Sequence, residues 1–218
     1  MIEQILPPGA AGAEAFADPP GVVLFPEEQA LVARAAAKRR QEFTTARDCA
    51  RRALAALGVA AVPVLPGERG APRWPAGLVG SITHCSGYRA AAVARASQLL
   101  TLGLDAEPDA ALPEGVLPRV TSPAERARLR ALAAAAPGTS WDRLLFSAKE
   151  ATYKAWFPLT GRWLGFEDAD VTIGPADGTF RARLLVPGPV LGGAPLAAFP
   201  GRWLAADGLL VTAVTLPA

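Results

Sequence analysis

Residues 140–158, SWDRLLFSAKEATYKAWFP, read as a single helix, with Ser140 placed to cap its first turn and Pro158 placed to halt it. Its charges are unusual for this chain. Lys149 and Lys154 are two of only three lysines among 22 basic residues, the third being Lys38, so positive charge is otherwise written as arginine. Glu150 and Lys154 stand at i and i+4, which is the spacing of an ordinary surface pair contributing about 0.3–0.5 kcal/mol. Lys149 lies about 100° further round the helix, near Tyr153, and is expected to reach a ligand beside Glu150. Phe146, Ala148, Ala151, Ala155, Trp156 and Phe157 surround these charges, and so apolar a setting does not suit a solvated charge face.

Working outward, TSPAERARLRALAAAAPG forms the preceding helix, with Ser122 and Glu125 spaced as a capping box and Pro123 at the first helical position. Upstream, LTLGLDAEP alternates as a strand. Downstream, ADVTIG, TFRARLLV, GRWLAAD and GLLVTAVTL read as strands, the last two joined by a tight turn at Asp207 and Gly208. The first half is expected to open with a short strand at Ile2–Leu6. Helix then runs from Pro26 or Glu27 to Leu57, with a break near Thr44 and Thr45 and Gly58 as its stop. LVGSITHC and YRAAAVAR follow as a hairpin around Cys85, Ser86 and Gly87. Helix followed by strands, twice over, predicts an α+β protein of two halves, residues 1–100 and 101–218.

Composition limits what these halves do. A hydrophobic share of 51% and a charged share of 19% are those of a globular protein. A net charge of +2 is too mild for a general nucleic-acid binder. The first 21 residues lack a basic start followed by an apolar run, and the longest uncharged runs are broken by proline and glycine. A cytoplasmic chain without membrane spans is therefore expected. Cys49, Cys85 and the single histidine, His84, complete neither a disulfide framework nor a zinc site.

In LTLGLDAEP the alternation sets Leu102, Leu104 and Ala106 on one face and Asp105 and Glu107 on the other. Carboxylates two apart on a strand are about 6.5 Å from each other, within reach of one hard cation, although the same pattern describes a solvated strand face. Together with Glu150, Lys149, Lys154, His84 and the arginines at 47, 51, 52, 69 and 73, they form an inventory for a phosphate-rich ligand with a divalent ion. GERGAP lacks the Walker pattern, which excludes P-loop enzymes and kinases. A metal-dependent phosphodiesterase or nuclease is one alternative, opposed by the four-residue helical spacing of Glu150 and Lys154. A non-catalytic protein that binds carrier domains or coenzyme A is another.

KRRQEFTTARDCARRAL, GERGAPRWPAGLVGSITHCSGYRAAAV, GLDAEP and WDRLLFSAKEATYKAWFPLTGRWLGFEDA follow one another across most of residues 38–170. In this order they resemble the Sfp-type 4′-phosphopantetheinyl transferases, and most of all the enterobactin and actinobacterial branch. The resemblance implies two similar α+β halves related by a pseudo-twofold, with the active site in the cleft between them. It implies transfer of 4′-phosphopantetheine from coenzyme A to a serine of an apo acyl or peptidyl carrier protein, releasing adenosine 3′,5′-bisphosphate. Asp105, Glu107 and Glu150 match the family's Mg²⁺ ligands, with Mn²⁺ as a substitute. Lys149 and Lys154 match its phosphate-binding lysines, His84 its contact to the coenzyme A phosphates, and Arg47 and Arg69 basic residues around the 3′-phosphate. Glu150, or a metal-bound water beside it, is expected to take the serine proton, and Lys154 to stabilise or protonate the departing phosphate. Leu112, Val116 and Leu117 are expected to offer an exposed apolar docking surface to the carrier, and the enzyme to work as a monomer. Thr83 and Cys85 flank a histidine that many relatives flank with serines, and Phe146 stands where many have tryptophan.

Overall fold

The computed structural model describes all 218 residues. In chain order its elements are β1 (Ala11–Ala15), α1 (Pro26–Val32), α2 (Ala37–Ala56), β2 (Leu78–Cys85), β3 (Tyr88–Arg95), β4 (Leu99–Pro108), α3 (Leu117–Val120), α4 (Pro123–Ala135) and α5 (Trp141–Thr160). There follow β5 (Ala169–Gly174), β6 (Thr179–Leu184), the short ribbon β7 (Val190–Leu191) and β8 (Ala194–Pro195), and finally β9 (Ala198–Ala206) and β10 (Leu209–Pro217). The protein is a mixed helix and sheet fold. One antiparallel sheet runs β1-β3-β2 and a larger one β4-β10-β9-β6-β5.

Strand alternation stacks these elements in layers. Tyr88, Ala90, Ala92 and Ala94 of β3 meet Leu102, Leu104 and Ala106 of β4 and Leu209, Val211 and Ala213 of β10 in one core between the sheets. The opposite face of β3, with Ala91 and Val93, packs on Cys49, Ala50, Ala53 and Leu54 of α2. The opposite face of β10, with Leu210 and Val214, packs on Leu144, Leu145, Ala148 and Ala151 of α5. Two 20-residue helices thus back two facing sheets, and period-two alternation sends each strand's side chains to different layers.

At β4, the edge strand of the larger sheet, the layers are sewn together. Ser81 Oγ and Thr83 Oγ1 on β2 accept the backbone N–H groups of Leu104 and Ala106 at 3.0 and 3.1 Å, so the free edge is satisfied by hydroxyls of the other sheet. On the far side β4 meets α5 with almost no space between backbones. A Cβ on Gly103 would lie 2.0 Å from the Ala151 carbonyl oxygen and 2.6 Å from the Ala155 nitrogen.

Several local expectations change. Ile2–Gln4 is a 3₁₀ turn that drops Ile2 and Ile5 into the core between the sheets, and the first strand is β1, five small or polar residues held by pairing to β3. The helix break falls at residues 33–36. Thr44 and Thr45 stay helical because Thr44 Oγ1 bonds the Arg40 carbonyl and Thr45 Oγ1 bonds Asp18. Pro158 does not halt α5: in the last turn it removes only one donor, and the helix ends when Gly161 turns to φ 62° and donates to the Phe157 carbonyl. Ser140 occupies the N-cap position without a side-chain cap bond. The capping box at Ser122 and Glu125 and the left-handed Asp207–Gly208 turn form as expected.

Candidate active site

The odd-numbered face of β4 carries Thr101, Gly103, Asp105 and Glu107 toward α5. Along α5, Arg143, Ser147, Ala151 and Lys154 recur at helical spacing and meet that face. Arg143 Nη1 donates to Glu107 Oε2 at 3.0 Å, Ser147 Oγ to Asp105 Oδ2 at 2.8 Å, and Lys154 Nζ to Asp105 Oδ1 at 2.7 Å and the Leu104 carbonyl at 3.1 Å. From β2, Thr83 Oγ1 donates to Asp105 Oδ1 at 3.3 Å. Asp105 is thereby buried with three side-chain partners on two elements, β2 and α5.

Glu150 lies beside this pair. Burial raises its carboxyl above the ordinary value, Asp105 and Glu107 add to the rise, and Lys154 opposes it. Glu107 is raised in the same way by burial and by Asp105, with Arg143 opposing. Three carboxylates therefore feel one another. They are oxygen donors of the kind a hard divalent cation takes, although no trio of acidic, histidine or cysteine side chains is drawn in to ligand spacing. Burial, then Glu107 and Asp105, push the Cys85 thiol up to about 12, so it supplies no thiolate nucleophile.

Two cavities join here into a groove. The first, of about 390 Å³, is lined from the first half by Arg69, Trp74 and Ile82 and from the second by Glu150, Tyr153, Lys154 and Phe157. The second, of about 380 Å³, holds Arg39, Arg47, Phe43 and His84. Gly70, Pro72 and Ile82 line both, so the cationic cavity adjoins the one holding Glu150 and Lys154.

At the cationic end Arg39 Nη1 donates to His84 Nε2 at 2.9 Å, which leaves the proton of the neutral ring on Nδ1, facing Glu42 at 3.9 Å. Burial and then Arg39 lower the His84 pKa. Arg47 is held firmly: Nε donates to the Val64 carbonyl at 2.7 Å, the guanidinium lies 4.1 Å from the Phe43 ring centroid, and burial draws its pKa down to about 10. Arg69 sits in the left-handed region at φ 51°, with its guanidinium 5.5 Å from the Trp163 ring centroid.

Of the residues singled out in the sequence, Glu150, Lys154, Arg69, Arg47 and His84 line the groove, and Asp105 and Glu107 stand directly behind it. Lys149 does not join them. It is buried on the other side of α5, 2.9 Å from Glu125 and 2.7 Å from the Phe166 carbonyl, because Glu125 lies on α4 where that face of the helix points. Its ammonium is thereby engaged inside the protein by Glu125 and the Phe166 carbonyl, and Lys149 does not line the groove. Val116 and Leu117 are half-buried rather than exposed, Leu117 packing against the α5 core. Arg39, Arg143, Ser147 and Thr212 carry no distinguishing signal in the sequence. Arg39 and Arg143 are hidden among nineteen arginines, and lone hydroxyls have no periodic signature.

Comparison with known proteins identifies the family. A family model described as the 4′-phosphopantetheinyl transferase N-terminal domain matches residues 27–94, and one described as the 4′-phosphopantetheinyl transferase superfamily matches residues 101–190. The chain is 56% identical to the 4′-phosphopantetheinyl transferase Svp of Streptomyces mobaraensis, over 100% of this chain and 90% of that protein. It is 54% identical to the 4′-phosphopantetheinyl transferase Npt of Nocardia iowensis, over 98% and 99%. It is 52% identical to the 4′-phosphopantetheinyl transferase PptT of Mycobacterium tuberculosis, over 94% and 92%. The chain, matched along nearly its whole length to such relatives, belongs to the 4′-phosphopantetheinyl transferase superfamily.

Proposed function

We propose that this protein transfers 4′-phosphopantetheine from coenzyme A to a serine hydroxyl of an apo acyl or peptidyl carrier protein and releases adenosine 3′,5′-bisphosphate. The observation that carries the reading is the pair of adjoining cavities, one lined by Arg39, Arg47 and His84 and the other by Glu150 and Lys154. A polyanionic nucleotide suits the first end and a reacting phosphate the second.

In this reading Arg39, Arg47, Arg69 and His84 bind and orient the phosphates of coenzyme A. The serine oxygen forms a bond to phosphorus, the pyrophosphate P–O bond breaks, and the nucleotide leaves with the electron pair. Glu150, whose carboxyl is raised by burial and by Asp105, takes the serine proton. Lys154 holds an ammonium toward the departing phosphate, and Asp105 keeps that ammonium in place.

The donor chemistry of Asp105, Glu107 and Glu150 fits Mg²⁺, or Mn²⁺ in its place, and the raised carboxyls of Glu107 and Glu150 suit a site stabilised by added positive charge. A divalent ion held there would neutralise charge on the pyrophosphate oxygens. The two backed sheets support two pseudo-twofold-related halves, 1–100 and 101–218, with the active site in the cleft between them. Both walls of the groove come from one chain, so the site is complete in a cytoplasmic monomer. No helix is long and apolar enough to cross a membrane.

Intact-mass spectrometry of apo carrier proteins incubated with the enzyme, coenzyme A and Mg²⁺ tests this function. A phosphopantetheine mass increase on the carrier serine, lost when Mg²⁺ is chelated, is expected. Absence of any modification across fatty-acid, polyketide, siderophore and other peptide-synthetase carriers would contradict it.

A further inference from the structure

We propose that Ser147 and Thr212 are positioning residues for Asp105, forming a buried chain of hydroxyls that runs from β10 through α5 and fixes one oxygen of that carboxylate. The inference rests on the reading of Asp105 as part of a divalent-cation site.

Ser147 and Thr212 are both fully buried, at 0% exposure. Their surroundings on α5 and β10 include Leu144, Ala148, Leu210 and Val214, where alanine and valine would pack without any polar group to satisfy. Ser147 Oγ lies 2.8 Å from Asp105 Oδ2 and 2.8 Å from Thr212 Oγ1, and Thr212 Oγ1 also donates to the Ser147 carbonyl at 3.1 Å. An ionised carboxylate only accepts, so the Ser147 hydrogen is committed to Asp105. Thr212 then has a single hydrogen for both Ser147 oxygens, shared between Oγ at 2.8 Å and the carbonyl at 3.1 Å. The chain of hydroxyls therefore has one direction and terminates on Asp105 Oδ2.

The other oxygen, Oδ1, meets Thr83 and Lys154. Both oxygens are thus held, Oδ1 by Lys154 and Thr83 and Oδ2 from inside the α5 core, and the hydroxyl chain supplies the inner of the two anchors. A hydroxyl pair that served packing alone would have no reason to end on this carboxylate. Partners behind a metal-binding carboxylate typically contribute a factor of about 10–100 in metal affinity.

The test is titration with Mn²⁺, read as loss of the free-ion electron paramagnetic resonance signal, together with thermal unfolding of each variant. Ser147→Ala is expected to bind Mn²⁺ about tenfold more weakly while its Michaelis constant for coenzyme A stays near the wild-type value. Thr212→Val should weaken Mn²⁺ in the same direction by less, and Thr212→Ser, which keeps the hydroxyl, should bind as wild type does. Because Thr212 acts through Ser147, the double variant should bind no more weakly than Ser147→Ala alone. Lowered thermal stability with unchanged Mn²⁺ affinity in Ser147→Ala would overturn the positioning role, as would independent, multiplying effects. If Ser147→Ala failed to fold, equal Mn²⁺ binding by Thr212→Val and Thr212→Ser would overturn it. Failure of the wild-type protein itself to take up Mn²⁺ would remove the metal reading, and the positioning role with it.

Discussion

Lys154 Nζ stands 2.7 Å from Asp105 Oδ1 and also donates to the Leu104 carbonyl, so an ammonium on α5 is held by both backbone and side chain of β4. The contact explains why this chain, which otherwise uses arginine, keeps a lysine here. A compact ammonium fits between a strand carbonyl and its neighbouring carboxylate, where a planar guanidinium is too wide and cannot give up a proton near neutral pH. Lys154→Arg should therefore fold with a wild-type far-ultraviolet circular dichroism spectrum and lose transfer by at least about a hundredfold, the scale of acid–base catalysis. Transfer within a few-fold of wild type would show that only the charge at this position matters.

Gly103 sets how closely α5 approaches β4. A side chain there meets backbone atoms of Ala151 and Ala155, which have no rotamer to move aside. Gly103→Val should lower stability by at least about 1–3 kcal/mol, the usual scale of overpacking, and separate Lys154 and Ser147 from Asp105. Chemical denaturation measures the first effect. A stable variant with full transfer would contradict the proposed role of this close contact.

How much of this was legible in the sequence differs from element to element. The alternation of residues 101–107 was readable because it depends only on the period of a strand, and it correctly put Asp105 and Glu107 on one face, away from Leu102 and Leu104. The fate of Lys149 was not readable. Its angle round α5 follows from helix geometry, but whether that direction leads to a ligand or into a core depends on Glu125, which only the packing of α4 brings there. The alanine-rich stretch before α2 likewise holds no glycine or proline at residues 33–36 to mark the break. Thr212 lies 107 residues beyond Asp105 in sequence, and it is the pairing of β10 with β4 that sets Thr212 opposite Asp105.

Arg69 tests the cationic lining. Removing its guanidinium should raise the Michaelis constant for coenzyme A more than it lowers turnover, and the difference from wild type should shrink as salt screens the phosphates. Steady-state kinetics at two ionic strengths measures this. Unchanged coenzyme A affinity with a large loss of turnover would contradict the assignment.

The raised carboxyl of Glu150 has a stability consequence with a definite sign. A group whose folded pKa exceeds its ordinary value of 4.5 favours the fold below that value, and the contribution is lost as pH rises through the folded pKa. Glu150→Gln does not titrate. In metal-free buffer its stability advantage over wild type should therefore be small below pH 4.5 and grow toward neutral pH. Thermal unfolding of both proteins across this range checks it, and an advantage that shrinks with rising pH would contradict the direction of the shift.

The most direct measurement is the rate at which Glu150→Gln modifies an apo carrier protein, followed by intact mass with coenzyme A and Mg²⁺ present. The substitution keeps size and helix propensity while removing the charge, so the protein should fold. If Glu150 belongs to the divalent-cation site and takes the serine proton, transfer should slow by at least about a hundredfold. If it is only the partner of a surface helix pair, the loss is a few tenths of a kcal/mol in stability and carrier modification proceeds at a near-normal rate, which would contradict the account.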